Sequence, residues 1–110
     1  LLKRHGLSYR IDWHLSGEPF LTRDDGPMVG AVERAVDGVL GSTPTPSTAG
    51  GTSDGRFIAP TGTQVIELGP LNATIHQIDE HVAVEDLKTL SAIYERLLDE
   101  LDQEARRLAG

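Results

Sequence analysis

Apolar and polar residues alternate strictly over residues 7–16. The apolar side chains fall on every second position, at Leu7, Tyr9, Ile11, Trp13 and Leu15. Because successive side chains of a strand point to opposite faces, this alternation predicts a half-buried β-strand. A shorter run at residues 63–68 is β-branched and mostly apolar, which predicts a second strand, inside a sheet.

Two other stretches carry apolar residues at helical spacing. Residues 28–40 form the first, with Pro27 in its first turn and Gly41 as its natural stop. Residues 84–108 form the second and longer one, although no capping side chain stands near Ala83. Its predicted apolar face consists of Val84, Leu87, Leu90, Ile93, Tyr94, Leu97, Leu98 and Leu101. Together, the strands and helices predict an α/β fold class.

The chain is acidic and contains no cysteine. Its 110 residues carry a formal net charge of −7, which argues against a nucleic-acid partner because such proteins gather Lys and Arg into a patch. We interpret the acidic residues of the last helix as a solvated face: Glu95, Asp99, Glu100, Asp102 and Glu104. Without cysteine there is no disulfide framework, and no apolar run approaches the ~20 residues needed to cross a membrane. At this length the chain is one small domain or a piece of a larger one.

The sequence TAGGTSDGRF at residues 48–57 has loop chemistry rather than apolar periodicity. It ends an irregular region, residues 41–56, and loops of more than about 12–15 residues inside compact domains are usually functional or disordered. Gly50, Gly51 and Gly55 allow backbone N–H groups to converge, and Arg56 adds a planar fork that matches a carboxylate or phosphate. The loop is therefore a candidate anion site, and a plain surface connection is the alternative.

A histidine-containing segment, residues 71–81, follows the second predicted strand. His76 is the best placed of the four histidines for metal or acid–base work, and a loop histidine bonded to backbone is the alternative. HQIDEH at residues 76–81 fits no zinc-helix spacing, so it fails as a self-sufficient metal site. We treat His5 and His81 as structural or solvent-facing. No Ser-His-Asp arrangement can be assigned, and Ser53 is interpreted as a turn hydroxyl.

Two blocks of sequence stand out, GGTSDGRFIA at residues 50–59 and ELGPLNATIH at residues 67–76. With YRIDW at 9–13, LSGEPFLT at 15–22 and VEDL at 84–87, they resemble the M20 family of two-metal amidohydrolases. The resemblance extends from about residue 2 to residue 101. It implies hydrolysis of N-succinyl-LL-2,6-diaminopimelate to succinate and LL-diaminopimelate, in a cytoplasmic bacterial homodimer that serves lysine and diaminopimelate biosynthesis.

The resemblance also implies roles for individual residues. His76 matches the family histidine that ligates one of two zinc ions, with cobalt as a possible substitute. Gly51 and Thr52 match the loop that contacts the bound acyl product, and Asn72 matches a substrate-contacting asparagine. Arg56 is similar to a family arginine that is expected to meet a substrate carboxylate.

Other parts of the family pattern have no counterpart in this sequence. The first zinc ligand, the bridging aspartate, the Glu-Glu pair with the general base and the remaining carboxylate ligand are all expected upstream. A catalytic zinc normally keeps three protein ligands and a water, so we expect this chain alone to be inactive. We expect the C-terminal part of such an enzyme, with residues 1–18 ending a dimerisation domain and residues 19–110 belonging to a zinc-exopeptidase-like catalytic domain.

Two positions depart from the family pattern. Asp79 stands where asparagine is usual, and His81 stands where cysteine is frequent. Asp79 either adds negative charge that strengthens His76 as a ligand or faces water. Two alternative functions remain at this point: a non-catalytic acidic interaction module that retains the fold, and an M20 enzyme that removes another acyl group.

Overall fold

The computed structural model describes residues 2–51, 53–71 and 73–110. Within them, α1 spans Pro27–Leu40, α2 is a single turn at Gly55–Ile58, and α3 spans Val84–Ala109. Two short 3₁₀ turns lie at Leu2–His5 and Ala59–Thr61. The rest of the described chain is turn or extended backbone.

Local chemistry explains where α1 begins and ends. Pro27 occupies the first turn of α1, and Gly41 ends it in the left-handed conformation, with φ of 68°. The Gly41 N–H donates to the Asp37 carbonyl at 2.7 Å, which satisfies one of the orphan carbonyls of the last turn. No described side chain caps α3 at Ala83, as predicted. The helix predictions at residues 28–40 and 84–108 are confirmed to within one residue.

Helices α1 and α3 pack against each other and supply the core. Two alanines of α1, Ala31 and Ala35, are fully buried and allow the helices to approach closely. The core cluster consists of Ala31, Val32, Ala35, Val36, Ile93 and Leu97. Ile66, Leu68 and Leu101 are partly buried against it. A small apolar core between two helices is therefore the rigid part of the fold.

The predicted strands are not formed. No β-strand occurs within residues 2–51, 53–71 and 73–110, so the α/β class is not confirmed and the described chain is helical with extended segments. A strand requires a neighbour that takes up its backbone N–H and C=O groups. Residues 7–16 have no such neighbour among the described residues, and Trp13 remains 90% exposed. The alternation identified an apolar face, but its residues remain exposed in the described part of the chain: Leu7, Tyr9, Ile11, Trp13 and Leu15.

Side chains, rather than a strand ladder, anchor residues 63–68. The Thr22 hydroxyl donates to the carbonyl of Val65 and accepts the N–H of the same residue at 3.2 Å. The Tyr94 hydroxyl donates to the Leu68 carbonyl at 2.8 Å, which ties the end of the segment to α3. The segment is thus extended and held at Val65 and Leu68, although it is not part of a sheet.

The prediction that the acidic residues of α3 form a solvated face is wrong at Glu100. It lies three residues after the core residue Leu97, on the buried stripe, and is only 4% exposed. Its carboxylate accepts Arg34 Nε at 2.8 Å across the helix pair and Arg96 Nε at 3.1 Å along α3. The Arg34 hydrogen bond, aided by Arg96 and opposed by burial, holds the pKa of Glu100 below its ordinary value. Arg34 also contacts Glu104 at 3.2 Å, so α1 and α3 share an ionic network beside the core.

Much of the remaining apolar surface is open. The radius of gyration is 19.3 Å, well above the ~13 Å of a compact chain of about this length. On α3, the predicted apolar face is buried at Ile93 and Leu97 but exposed at Val84, Leu87 and Leu98. Among the described residues, we found no helix with the length and apolar character that a membrane crossing demands.

Candidate functional site

The glycine-rich loop turns into α2 through its own side chains. Gly50 has a φ of 135°, which L side chains rarely adopt, so the turn at this position requires glycine. The Ser53 hydroxyl accepts the N–H of Gly55 at 3.1 Å. The interpretation of Ser53 as a turn hydroxyl is therefore confirmed. Thr52, predicted to contact the acyl product, lies outside the described residues.

Close packing at Gly55 fixes the start of α2. Gly55 is buried, and a Cβ there would lie 2.8 Å from Val65 Cγ1 and 2.9 Å from Phe20 Cζ. Neither group can move without disturbing the packing around it, so only glycine fits. Because Arg56 follows directly, this contact sets where the arginine side chain begins.

A cleft of about 730 Å³ opens beside the loop. Gly51 and Arg56 both line it, together with the extended segment that begins at Gly17 and with residues 65–68. Val32 contributes from α1, which links the cleft wall to the helical core. The two loop residues predicted to bind substrate are therefore brought to one cavity. Most of its wall comes from extended backbone outside the long helices.

The guanidinium of Arg56 has an unmet hydrogen bond. Its Nε is buried and has no hydrogen-bond partner among the described residues. Its Cζ lies 4.8 Å from the centroid of the Phe57 ring, which supports the guanidinium plane from one side. A buried donor without an acceptor is costly, and a planar guanidinium pairs well with a carboxylate. Arg56 is thus chemically suited to take a carboxylate from a ligand in the cleft.

Acidic side chains also line the cleft and limit what it accepts. Glu18, Asp24, Glu33 and Glu67 lie along its wall, whereas Arg56 is the one cationic side chain among its described lining residues. A bare polyanion would meet these carboxylates as well as the arginine. The lining is better matched to a ligand that carries a carboxylate together with neutral or cationic groups.

His76 lies on a separate turn. Residues His76 and Asp79 both have left-handed backbone, with φ of 61° and 62°. The His76 N–H donates to Glu80 Oε2 at 3.3 Å, and the Thr74 hydroxyl both donates to and accepts from the main chain of His81 at 3.0 Å. His76 is exposed and is not one of the described residues that line the cleft. Among the described residues, His76 and the glycine-rich loop therefore do not line the same cleft.

The described residues do not form a metal site by themselves. No group of three or more His, Asp or Glu side chains within residues 2–51, 53–71 and 73–110 is arranged to hold an ion. His76 would supply one imidazole nitrogen to an ion. Asn72, predicted to contact substrate, falls in the gap between the described ranges. The arrangement can bind an anion, but it holds no assembled hydrolytic centre.

Sequence reasoning missed part of the cleft. It did not single out Gly17 or Phe20, which lie against Arg56 and Gly55. Gly17 reads along the chain as an ordinary turn residue, and its importance depends on a partner far away in sequence. It lies in the LSGEPFLT block that carries the family resemblance, but only the contact with Arg56 shows what this glycine does.

Comparison with curated proteins gives closely similar relatives. The chain is 63% identical over 101 residues to a succinyl-diaminopimelate desuccinylase of Methylococcus capsulatus, covering 92% of this chain and 26% of the relative. It is 63% identical over 110 residues to a protein of the same name from Alkalilimnicola ehrlichii, covering 100% of this chain and 27% of the relative. For a third, from Marinobacter nauticus, the identity is 61% over 101 residues, with coverage of 92% and 27%. The chain thus spans about a quarter of the length of the curated relatives it matches.

The profile described as peptidase family M20/M25/M40 matches residues 7–100. The match covers the extended segment, α1, the glycine-rich loop, the histidine turn and α3 as far as residue 100. It agrees with the resemblance carried by the two sequence blocks around Arg56 and His76. The chain therefore belongs to peptidase family M20/M25/M40.

Proposed function

We propose that this chain is part of a metal-dependent hydrolase that cleaves N-succinyl-LL-2,6-diaminopimelate to succinate and LL-diaminopimelate. The observation that carries the proposal is Arg56, which lines a cleft shared with Gly51 and whose buried Nε has no hydrogen-bond partner among the described residues. The names of the curated relatives supply the acyl group and the amine. A substrate that carries carboxylates as well as a free ammonium group suits a cleft that combines one arginine with several acidic side chains.

Each proposed role follows from a group that the chain presents. Arg56 pairs with a substrate carboxylate through Nε–H and a terminal N–H. The main chain at Gly51, where nothing described lies within 4 Å of a Cβ position, leaves room for the succinyl group to approach. Thr52 and Asn72 are proposed to contact the acyl group and the substrate. Their sequence positions place them next to Gly51 and on the approach to His76.

We further propose His76 as one ligand of a zinc centre, with cobalt as a possible replacement. A non-glycine residue in left-handed backbone costs free energy and is common at functional sites, and two such residues flank this turn. The remaining ligands and the general base are proposed to come from residues that this sequence does not contain. The described residues do not fit a complete metal site, so no chemical step is assigned to them.

The uncovered apolar surface fits a larger assembly. We propose that residues 1–18 end a dimerisation domain and that residues 19–110 belong to a catalytic domain with a zinc-exopeptidase-like α/β fold. The exposed apolar residues of the segment 7–16 would then pair with further strands, in a homodimeric enzyme of the bacterial cytoplasm. Lysine and diaminopimelate biosynthesis is the proposed setting.

The test uses the full-length protein that carries this chain. We expect release of succinate from N-succinyl-LL-2,6-diaminopimelate, loss of that release with a chelator, and recovery with zinc. His76→Ala should lower both the bound zinc and the rate, whereas His14→Ala, on the exposed segment 7–16, should change neither. Bound zinc is measured by elemental analysis, so the ligand role is tested apart from activity.

Four results would each contradict a part of the proposal. Full-length protein with bound zinc that releases no succinate would overturn the reaction, and faster cleavage of an N-acetyl analogue would reassign the acyl group. Unchanged zinc content in His76→Ala would remove that residue from the metal site. A full-length protein that binds no zinc at all would favour a non-catalytic interaction module.

A further inference from the structure

Gly17 lies directly against the side chain of Arg56. A Cβ at residue 17 would lie 2.7 Å from Arg56 Cδ, 3.1 Å from Nε and 3.3 Å from Cγ. The first of these distances is shorter than real Cβ contacts allow. The aliphatic part of Arg56 therefore occupies the space that any other residue at position 17 would fill.

The backbone of Gly17 does not itself require glycine. Its φ is not among the positive values, which among the described glycines occur at Gly6, Gly41, Gly50 and Gly62. Alanine could adopt this conformation without backbone strain. What restricts residue 17 to glycine is consequently the steric contact with Arg56 and not the local backbone conformation.

The contact falls on a flexible side chain, so an added methyl group would displace Arg56 rather than unfold the protein. Arg56 is only partly buried and can swing toward solvent, but its Nε would then leave its buried position, where it has no hydrogen-bond partner among the described residues. Phe57 on one side of the guanidinium and Gly17 along its stem together fix its direction.

We propose that Gly17 is a positioning residue for Arg56: its missing side chain directs the guanidinium into the cleft. The proposal rests on the proposed function, in which Arg56 meets a substrate carboxylate. Gly17 also lines the cleft, but the role proposed for it is exercised through Arg56. It leaves free the space that the Arg56 side chain occupies when it points into the cleft.

The first experiment does not depend on enzyme activity. In this 110-residue chain, the Nε–H resonance of Arg56 is followed by NMR in the wild type and in Gly17→Ala. We expect the resonance to move toward the position of an exposed arginine, while the melting temperature stays within a few degrees of the wild type. Gly38→Ala is the matched control, because its Cβ also faces an arginine, Arg96, but at an ordinary 3.6 Å. That variant should leave the Arg56 resonance unchanged.

The second experiment measures the kinetics of the full-length protein. Gly17→Ala should raise KM for the succinylated substrate by roughly 10-fold, as expected for loss of a hydrogen bond to a charged group, with a smaller change in kcat. In an Arg56→Ala background, Gly17→Ala should have no further effect, since the residue acts only through Arg56.

The outcomes separate this proposal from the proposed function. An unmoved Arg56 resonance in Gly17→Ala, or an equal KM penalty with and without Arg56, overturns the positioning role. If the resonance moves as expected but the full-length protein cleaves no succinylated amine, the proposed function fails and the positioning of Arg56 stands. A large loss of melting temperature in Gly17→Ala would show a packing role instead and also overturn the proposal.

Discussion

The helix pair and the extended segment 7–23 have similar apolar content but differ in burial. In α1 and α3, side chains such as Val32 and Leu97 face each other and leave water together. In the extended segment, Trp13 and its alternate neighbours have no described partner and stay exposed. A helix satisfies its own backbone and needs a partner only for one face, whereas a strand needs partners for its backbone too. One apolar face is therefore sufficient for the helices to form in this chain, but it is insufficient for a strand to form.

The candidate site lies where these two regions meet. Val32 forms part of both the core and the cleft wall, so α1, which packs against α3, supplies one side of the cleft. Gly17 and the loop around Arg56 provide the opposite wall from irregular backbone. Binding groups on loops above a rigid scaffold are the usual arrangement of functional sites. The comparison predicts that core changes affect stability and loop changes affect ligand contact.

The largest effect should come from the helix pair. Leu97→Ala removes a side chain that is 6% exposed in the core, and we expect a loss of about 2–5 kcal/mol in the free energy of unfolding. Thermal unfolding of the chain, followed by circular dichroism, measures it. This loss approaches the whole stability of a small domain, so the variant should lose much of its cooperative transition.

The next residue is the matched control for that core substitution. Leu98 is 70% exposed on the same helix, and Leu98→Ala should change the free energy of unfolding by no more than about 0.5 kcal/mol. Equal losses for the two variants would mean that the described core is not the stabilising one, and the contrast between the two regions would fail.

A smaller effect is expected from the ionic network beside the core. Glu100→Gln removes the charge that Arg34 and Arg96 share, and the melting temperature at neutral pH should fall. Because both arginines are partly exposed and can turn to water, the fall should be less than for Leu97→Ala. Glu95→Gln, on an exposed position of the same helix, serves as the control and should have little effect.

The pH dependence of the Glu100 effect has a definite sign. Arg34 lowers the pKa of Glu100 below its ordinary value of 4.5 in the folded chain. The stabilisation is therefore fully present above that ordinary value and is lost as pH falls through the lower folded-state pKa. The difference in melting temperature between wild type and Glu100→Gln should shrink on acidification. A difference that stays constant across this range would contradict the role of the carboxylate charge.

Local signals predicted the helices, and long-range contacts decided the rest. Pro27 and Gly41 bound α1 through their own backbone preferences, so the sequence alone was sufficient. Glu100 was predicted exposed because it is charged, although its spacing from Leu97 put it on the buried stripe. Gly51 and Arg56 lie five residues apart in one loop, so their proximity was expected, whereas the cleft that they line is built with segments remote in sequence. Gly17 could not be predicted, since its partner is remote along the chain.

The smallest effect should come from the segment 7–23, through its single tryptophan. Trp13 is 90% exposed, so Trp13→Ala should alter the free energy of unfolding of this chain by less than about 0.5 kcal/mol. The fluorescence of Trp13 should have its maximum at the long wavelength of a solvated indole. In the full-length protein, where we propose that further strands cover this face, the emission should shift to shorter wavelength and the same substitution should destabilise measurably. Blue-shifted emission from this chain alone, quenched poorly by iodide, would show that the segment is already covered and would abolish its contrast with the helix pair.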